Sequence, residues 1–335
     1  MKTAIVILNW NGKDLLERFM PSVVANSAGL AKVYLADNAS TDNSVSYCQE
    51  YFPEVHIIKN AVNAGYAKGY NDALQHINAD LYVLLNNDVQ TPTGWLEPMI
   101  DLFKSESSLG AAQPKILDLN KTTHFEYAGA AGGFLDTLGY PYCRGRIFDH
   151  CEEDQGQYND TIKVQWASGA CLFVKRTVFN NVGGFDEDYF AHQEEIDLCW
   201  RIKNEGLDIL ACGDSKVYHL GGGTLATTHP RKTFYNFRNS LFTIVKNEAK
   251  GVAWRILARL ILDGIAGIRF VAQGKLGHLW AIVKAHFSFY YHLPKYIRKR
   301  KVQKIKANSS RPKAIVYSYF IENNKRYSEL KIKKG

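Results

Sequence analysis

The sequence predicts an α/β protein built on a parallel sheet, followed by a helical C-terminal extension. Three observations carry that expectation. Apolar runs of strand length alternate with helical segments through the first hundred residues. Clusters of Asn, Asp and Gly close successive strands. From about Lys232 onward the chain reads as helix, rich in Leu, Ile, Ala, Phe and Tyr.

The elements follow in order. A strand over Ala4 to Leu8 leads to a helix from about Lys13 to Ala25, then a strand over Lys32 to Ala36 and a helix from about Asp42 to Tyr51. A third strand, Val55 to Lys59, precedes a helix from about Gly65 to His76; the strand Ala79 to Leu85 and the helix Gly94 to Lys104 complete the run. Four strands linked this way form a nucleotide-binding half whose functional loops share one edge. Residues 110–215 read as short strands and Gly-rich turns around an apolar central strand, Ala170 to Val174.

The chain of 335 residues, 46% hydrophobic and 22% charged, has room for a full core, and its composition excludes disorder over most of its length. Three units are expected: 1–245, 246–306 and a basic tail, 307–335. The net charge of +8 owes much to Lys295 to Lys334, which includes Lys-Tyr-Ile-Arg-Lys-Arg-Lys at 295–301. The aromatics at Phe287, Phe289, Tyr290 and Tyr291, with basic residues interleaved among apolar ones from Trp254 to His292, suit helices lying in an anionic membrane interface. A helical hairpin packed on the first unit, or used for dimerisation, fits the same pattern. No uncharged run reaches spanning length. The six cysteines show no CxxC pair, and the first strand begins at once, with no leader-like segment ahead of it. A cytoplasmic protein with reduced thiols, peripheral on the inner face of the membrane, is expected.

Chemistry concentrates at strand ends. In Leu84-Leu85-Asn86-Asn87-Asp88-Val89 an apolar strand runs straight into a carboxylate, and Asp88 there suits a hard divalent ion carrying a diphosphate; an Asx-turn is the alternative. Asp37, closing the second strand, can accept from the N3–H of a uracil or thymine, with Asn38 and Ser40 shaping the turn. Asn63-Ala64-Gly65-Tyr66-Ala67-Lys68-Gly69 is a Gly-rich entry into a helix, suited to ribose or phosphate. After the first strand stands Asn9-Trp10-Asn11-Gly12, which is neither a Walker loop nor a GxGxxG turn. Glu194, Glu195 and Asp197 crowd three carboxylates ahead of a helix read as Leu198 to Asn204, so one can act as general base, with Arg201 placed to neutralise Asp197. His219 follows a strand and precedes three glycines, and Arg238 in Phe237-Arg238-Asn239 can bring a cation to a diphosphate or lie on a surface helix.

Together VILNWNG, LADNASTDNS, NAGYAKGYN, LLNNDV, ASGACLFVKR, VGGFDEDYF, EEIDLCWR and VYHLGGGT resemble the family 2 nucleotide-sugar glycosyltransferases of the GT-A fold, particularly their bacterial rhamnosyltransferase-like branch. The resemblance spans roughly residues 1–245. It implies a mixed GT-A sheet and a metal, Mg²⁺ or Mn²⁺, held by Asp88 and His219. Glu195 stands at the position of the catalytic base, with Glu194 and Asp197 beside it. The donor side comprises Asn9, Trp10, Asn11, Asp37, Asn38, Asn63, Gly65, Lys68, Asn71, Asn86, Asn87 and Arg238, and the acceptor side Trp166, Ser168 and Gly169. Two departures stand out: Asn86 replaces the first carboxylate of the Asp-x-Asp metal motif, and Glu195 replaces the more usual Asp. The implied reaction is inverting transfer of a rhamnose-like sugar or hexose from a nucleoside diphosphate to a hydroxyl of a cell-surface polysaccharide or lipid-linked glycan precursor. A nucleotidyltransferase and a non-catalytic membrane-associated scaffold are the rival readings. Nucleic acid is not an expected partner, because no aromatic and basic stripe lies on a sheet face.

Overall fold

The computed structural model describes residues 1–221, 229–300 and 314–330. Residues 222–224 of the expected glycine run, 301–306 of the expected membrane segment, and 307–313 and 331–335 of the basic tail lie outside the described residues.

The first strand, β1 (Thr3–Asn9), is followed by α1 (Lys13–Ala25), β2 (Lys32–Asp37), α2 (Ser44–Tyr51), β3 (His56–Lys59), α3 (Gly65–Leu74) and β4 (Leu81–Asn86). These strands pair in parallel in the order β4-β1-β2-β3, with Ile5 opposite Val33 on one side and Val83 on the other. A strand buried on both faces needs apolar residues throughout, as in Ala4-Ile5-Val6-Ile7. Alternation sends Val6 and Leu84 to one face and Ile5, Ile7, Val83 and Leu85 to the other, giving two cores.

The sheet continues as a mixed one. After β5 (Val89–Gln90), α4 (Glu97–Ser105) and the ten-residue β6 (Leu109–Asp118) comes a small antiparallel sheet of β7 (Gly133–Leu135), β8 (Pro141–Cys143), β9 (Arg146–Ile147) and β10 (His150–Cys151). The chain returns through β11 (Ile162–Lys163) and β12 (Cys171–Lys175), the expected central strand, which lies antiparallel between β4 and β6. Then follow α5 (Arg176–Asn181), α6 (Glu194–Asn204) and the twelve-residue β13 (Asp208–His219), parallel to β6. The region read as short strands thus holds two of the longest in the protein.

Helix α6 begins four residues before the expected Leu198, so Glu194, Glu195 and Asp197 occupy its first turn, where carboxylates meet the positive end of the helix dipole. The C-terminal part is α7 (Pro230–Asn247), α8 (Val252–Ala272), α9 (Leu276–Lys299) and α10 (Ile315–Phe320). Leu241, Phe242 and Val245 of α7 form a separate core with Phe289 and Tyr296 of α9. The expected boundary at 245 falls inside α7. Residues 314–330 do not hang free as a tail, since Ile315 and Leu330 pack against Tyr142 and Ile147 of the small sheet. No helix among the described residues is long and apolar enough to cross a membrane.

Candidate active site

The ends of β1, β2 and β4 meet at one edge, and their asparagines and aspartates are bonded to one another. Asn9 Nδ2 lies 3.5 Å from Asp37 Oδ1 and donates to Ser40 Oγ at 3.3 Å, while Asn87 Nδ2 donates to Asn9 Oδ1 at 3.0 Å. Gly12 is required beside this cluster, because a Cβ there would stand 2.5 Å from both Asn87 Nδ2 and Asn9 Oδ1. Asn11 Oδ1 accepts from the amide of Thr41 at 2.7 Å, and Asp37 Oδ2 from that of Ser40 at 3.0 Å, so the loops after β1 and β2 form one unit. Asn38 Nδ2 donates to Asn63 Oδ1 and to the Gly65 carbonyl, joining the third loop. Trp10 is half exposed at this edge, the disposition of a ring available for stacking.

Asp88 and His219 come from neighbouring segments. The short strand β5 pairs with the end of β13, setting Val89 opposite His219 and the Leu220 amide 3.0 Å from the Asp88 carbonyl. His219 Nε2 is then 3.0 Å from Asp88 Oδ1 and 3.4 Å from Asn86 Nδ2. Its other nitrogen lies 3.2 Å from Glu126 Oε2. Burial opposes charge on this imidazole, but the carboxylates of Asp88 and Glu126 overcome it and raise the pKa to about 10. Among the described residues no three His, Cys, Asp or Glu side chains form a closed metal cage. A divalent ion at Nε2 would displace the proton that the carboxylates of Asp88 and Glu126 hold on His219. With the Asn86 amide turned to present its oxygen, one carboxylate, one imidazole nitrogen and one amide oxygen fit an open site for a hard ion completed by phosphate and water. Glu126 fits the role of the outer carboxylate that orients a ligating histidine.

The acidic start of α6 forms the other side. Glu194 Oε2 and Glu195 Oε2 are shut off from solvent and find no partner among the described residues. Burial pushes the pKa of Glu195 up to about 7, and that of Glu194 is also raised, by burial and by Glu195 itself. Gly169 lies beside them: the Tyr66 hydroxyl donates to its carbonyl at 2.8 Å, and a Cβ on Gly169 would stand 3.8 Å from that of Glu195. The next residue, Ala170, accepts from the Asn86 amide at 3.0 Å.

Asp197 is corrected. Its carboxylate is wholly buried and taken up by Arg201, Lys246 and Asn247 at 2.7–2.9 Å. Burial alone would raise its pKa, but the two cations bring it down to about 2, leaving no basicity for catalysis. Other expected contacts are engaged in holding the fold. Lys68 pairs with Asp72 and Glu187, and Asn71 binds the Phe185 backbone and Glu187. The Trp166 indole donates to the Phe134 carbonyl, and the buried Ser168 binds Gln113 and Ala170 through its own amide and hydroxyl. Arg238 donates to the Asp188 carbonyl and to Asn239 Oδ1. Sequence reasoning missed Glu126, whose segment His-Phe-Glu-Tyr-Ala carries no pattern, and Asn239, adjacent to the residue it did select.

A mixed sheet whose strand ends gather Asp37, Asp88 and His219, faced by a helix that starts on buried glutamates, defines a glycosyltransferase of the GT-A fold. The chain belongs to glycosyl transferase family 2, whose model matches residues 4–183. It is 27% identical over 284 residues to N-acetylglucosaminyl-diphospho-decaprenol L-rhamnosyltransferase of Mycobacterium tuberculosis, covering 79% of this chain and 90% of that one. It is also 21% identical over 213 residues to the low-salt glycan biosynthesis hexosyltransferase Agl10 of Haloferax volcanii, covering 62% and 64%. Among solved structures, residues 1–349 of S. aureus TarS with UDP-GlcNAc match with a TM-score of 0.55 at 13% identity, over 89% of this chain and 83% of that one. The mannosyltransferase of Pyrobaculum calidifontis in complex with GDP-Man and Mn²⁺ matches with a TM-score of 0.53 at 15% identity, over 89% and 84%. Membership of this family sets aside the nucleotidyltransferase and scaffold readings.

Proposed function

We propose that the chain transfers a sugar, with inversion, from a nucleoside diphosphate sugar to a hydroxyl of a lipid-linked or polysaccharide glycan, with Glu195 as the base. The observation that carries this reading is the start of β12. Ala170 is bonded to Asn86 of the diphosphate turn, and Gly169, one residue earlier, lies against Tyr66 and Glu195. One strand end therefore lies between the place where the leaving group would bind and the group that would take the acceptor proton.

In this mechanism Asp37 accepts from the base of the nucleotide, and Trp10, Asn9 and Asn11 border the nucleoside. Asp88 and His219 would hold Mg²⁺ or Mn²⁺, with Asn86 beside them. The divalent ion, when bound, neutralises charge on the departing diphosphate. Glu195 receives the proton of the acceptor hydroxyl as it attacks the anomeric carbon, and a single displacement needs no second carboxylate as nucleophile. Its raised pKa keeps it near the balance between base strength and ionised fraction at neutral pH.

The C-terminal helices supply the acceptor's location in the same proposal. Trp254, Leu257, Ile261, Ile265 and Ile268 follow each other at helical spacing along α8, each more than half exposed, and Trp280, Phe287 and Tyr291 are as exposed on α9. Lys275, Lys284, Lys295 and Arg298 accompany them, which suits an anionic bilayer surface rather than water. The division into a catalytic unit and a membrane-facing helical extension rests on this distribution.

A panel of nucleotide sugars, dTDP-rhamnose first because two of the similar proteins are rhamnosyltransferases, tests the reading. Release of nucleoside diphosphate with one donor, dependent on a polyprenyl-diphosphate-linked saccharide, is expected. Absence of transfer with every donor in the presence of Mg²⁺ and Mn²⁺ refutes it.

A further inference from the structure

The segment leading into α6 has an unusual backbone. Phe190, His192 and Gln193 all have positive φ, at 60°, 67° and 74°, without a glycine among them. Each costs on the order of 1 kcal/mol unless its surroundings hold it, and such residues gather where a site requires a particular geometry. The holding groups are identifiable. Asn239 Nδ2 donates to the carbonyls of Tyr189, Ala191 and His192 at 3.1, 3.0 and 2.8 Å, and the Tyr66 amide takes the remaining carbonyl, that of Phe190, at 2.8 Å. Four consecutive carbonyls are thus gathered inward by one side chain and one amide. Arg238 Nε donates to Asn239 Oδ1 at 2.9 Å, which fixes the amide with its nitrogen toward the loop. Asn239 is fully buried.

We propose that Asn239 is a positioning residue for the base: by gathering these carbonyls it fixes the first turn of α6 and so the place of the Glu195 carboxylate against Gly169 and Tyr66. The proposal rests on Glu195 being the base. Asparagine is the side chain that serves, because its NH₂ reaches several acceptors while its oxygen accepts from Arg238. Aspartate, of the same shape, would turn oxygen toward three carbonyl oxygens and repel them. Burial raises the pKa of Glu195 against the backbone amides of Glu195, Ile196 and Gln193, which lower it, and the titratable groups that face it are Glu194 of its own helix, Tyr66 of α3, Cys143 of the small sheet and Cys199. None of these is a cation. The raised pKa therefore depends on water being kept out, and the loop held by Asn239 helps to exclude it.

The test uses the full chain with Asn239→Asp and the milder Asn239→Ser, each compared with Glu195→Gln and with the double variants. For Asn239→Ser, kcat should fall on the order of 10-fold to 100-fold while donor KM stays within about twofold. The acid limb of its pH profile should move down by roughly one unit, as the carboxylate gains water. Amides 190–195 should exchange faster with solvent, and adding Asn239→Ser to Glu195→Gln should cost little more, because both act through one group. A loss of activity that tracks only the lost folded fraction, with an unmoved acid limb, overturns the proposal. If Glu195→Gln is deficient but the two losses multiply, the positioning role falls and the base assignment stands. Full activity of Glu195→Gln removes both.

Discussion

If Glu195 is the base, the dependence of rate on pH follows from its surroundings. Burial raises its pKa from an ordinary 4.5 to about 7, and only the ionised form can accept a proton from the acceptor hydroxyl. With a single ionisation near 7, about 1% of the enzyme carries the active carboxylate at pH 5 and about 90% at pH 8, so kcat should rise about 90-fold across that interval. A carboxylate near 4.5 would be about three-quarters ionised already at pH 5, and the rate would change by less than about 1.5-fold. The assay is initial-rate release of nucleoside diphosphate at saturating donor and acceptor, with Glu195→Gln and Glu194→Gln measured in parallel. Burial and the charge on Glu195 both favour the neutral form of Glu194, so if Glu195 is the base the Glu194 amide variant should keep most of the activity and the same limb. Glu195→Gln should lose about 10²-fold or more. A flat profile between pH 5 and 8, or a larger loss from Glu194→Gln, would refute the reasoning. The same raised pKa carries a stability consequence of definite sign: the folded state binds this proton more tightly than the unfolded chain. Its stabilising contribution is therefore full below about 4.5 and is lost as pH rises through about 7.

Three further outcomes are expected. Asp88→Ala should abolish turnover and weaken Mn²⁺ binding followed by calorimetry while the circular dichroism spectrum is retained; full activity in excess EDTA would sink the metal assignment. Lys246→Ala removes a cation bonded at 2.7 and 2.9 Å to the buried Asp186 and Asp197, and should cost about 3 kcal/mol in denaturant unfolding; a loss under about 1 kcal/mol would show that Arg201 and Asn247 suffice. The pair Leu257→Glu and Ile265→Glu on the exposed side of α8 should weaken flotation with phosphatidylglycerol liposomes, and added salt should weaken binding of the unaltered chain without ending it. Unchanged flotation of the double variant, or a concentration-dependent dimer that it disrupts, would move that surface from membrane to self-association.

The first half of the sheet was legible because its signals are local. Ala4-Ile5-Val6-Ile7 and Leu81-Tyr82-Val83-Leu84-Leu85 are strand-length apolar runs closed by Asn and Asp, and alternation with helices leaves little choice of topology. The insertion of β12 antiparallel between β4 and β6 is a matter of long-range pairing that no short window contains. The start of α6 was misplaced because Gln193 adopts a left-handed conformation with no glycine to announce it, held by an asparagine that lies on α7. Asp88, His219 and the two glutamates could be read from strand ends and crowding. Glu126 could not, since what marks it is a spatial contact with His219 across a long stretch of chain. Asp197 was overvalued for the same reason: Lys246, which removes its basicity together with the nearby Arg201, comes from a different helix.

The hydrogen bond from the Asn86 amide to Ala170 and the approach of Gly169 to Tyr66 and Glu195 tie the end of β4 and the start of α6 to adjacent residues just ahead of β12. Gly169 and Ala170 are joined by one planar peptide unit, so these two contacts do not move independently of each other. If Glu195 is the base, the turns and short strands between β6 and β12 lie outside that connection, so a change of acceptor made there need not entail a change of chemistry.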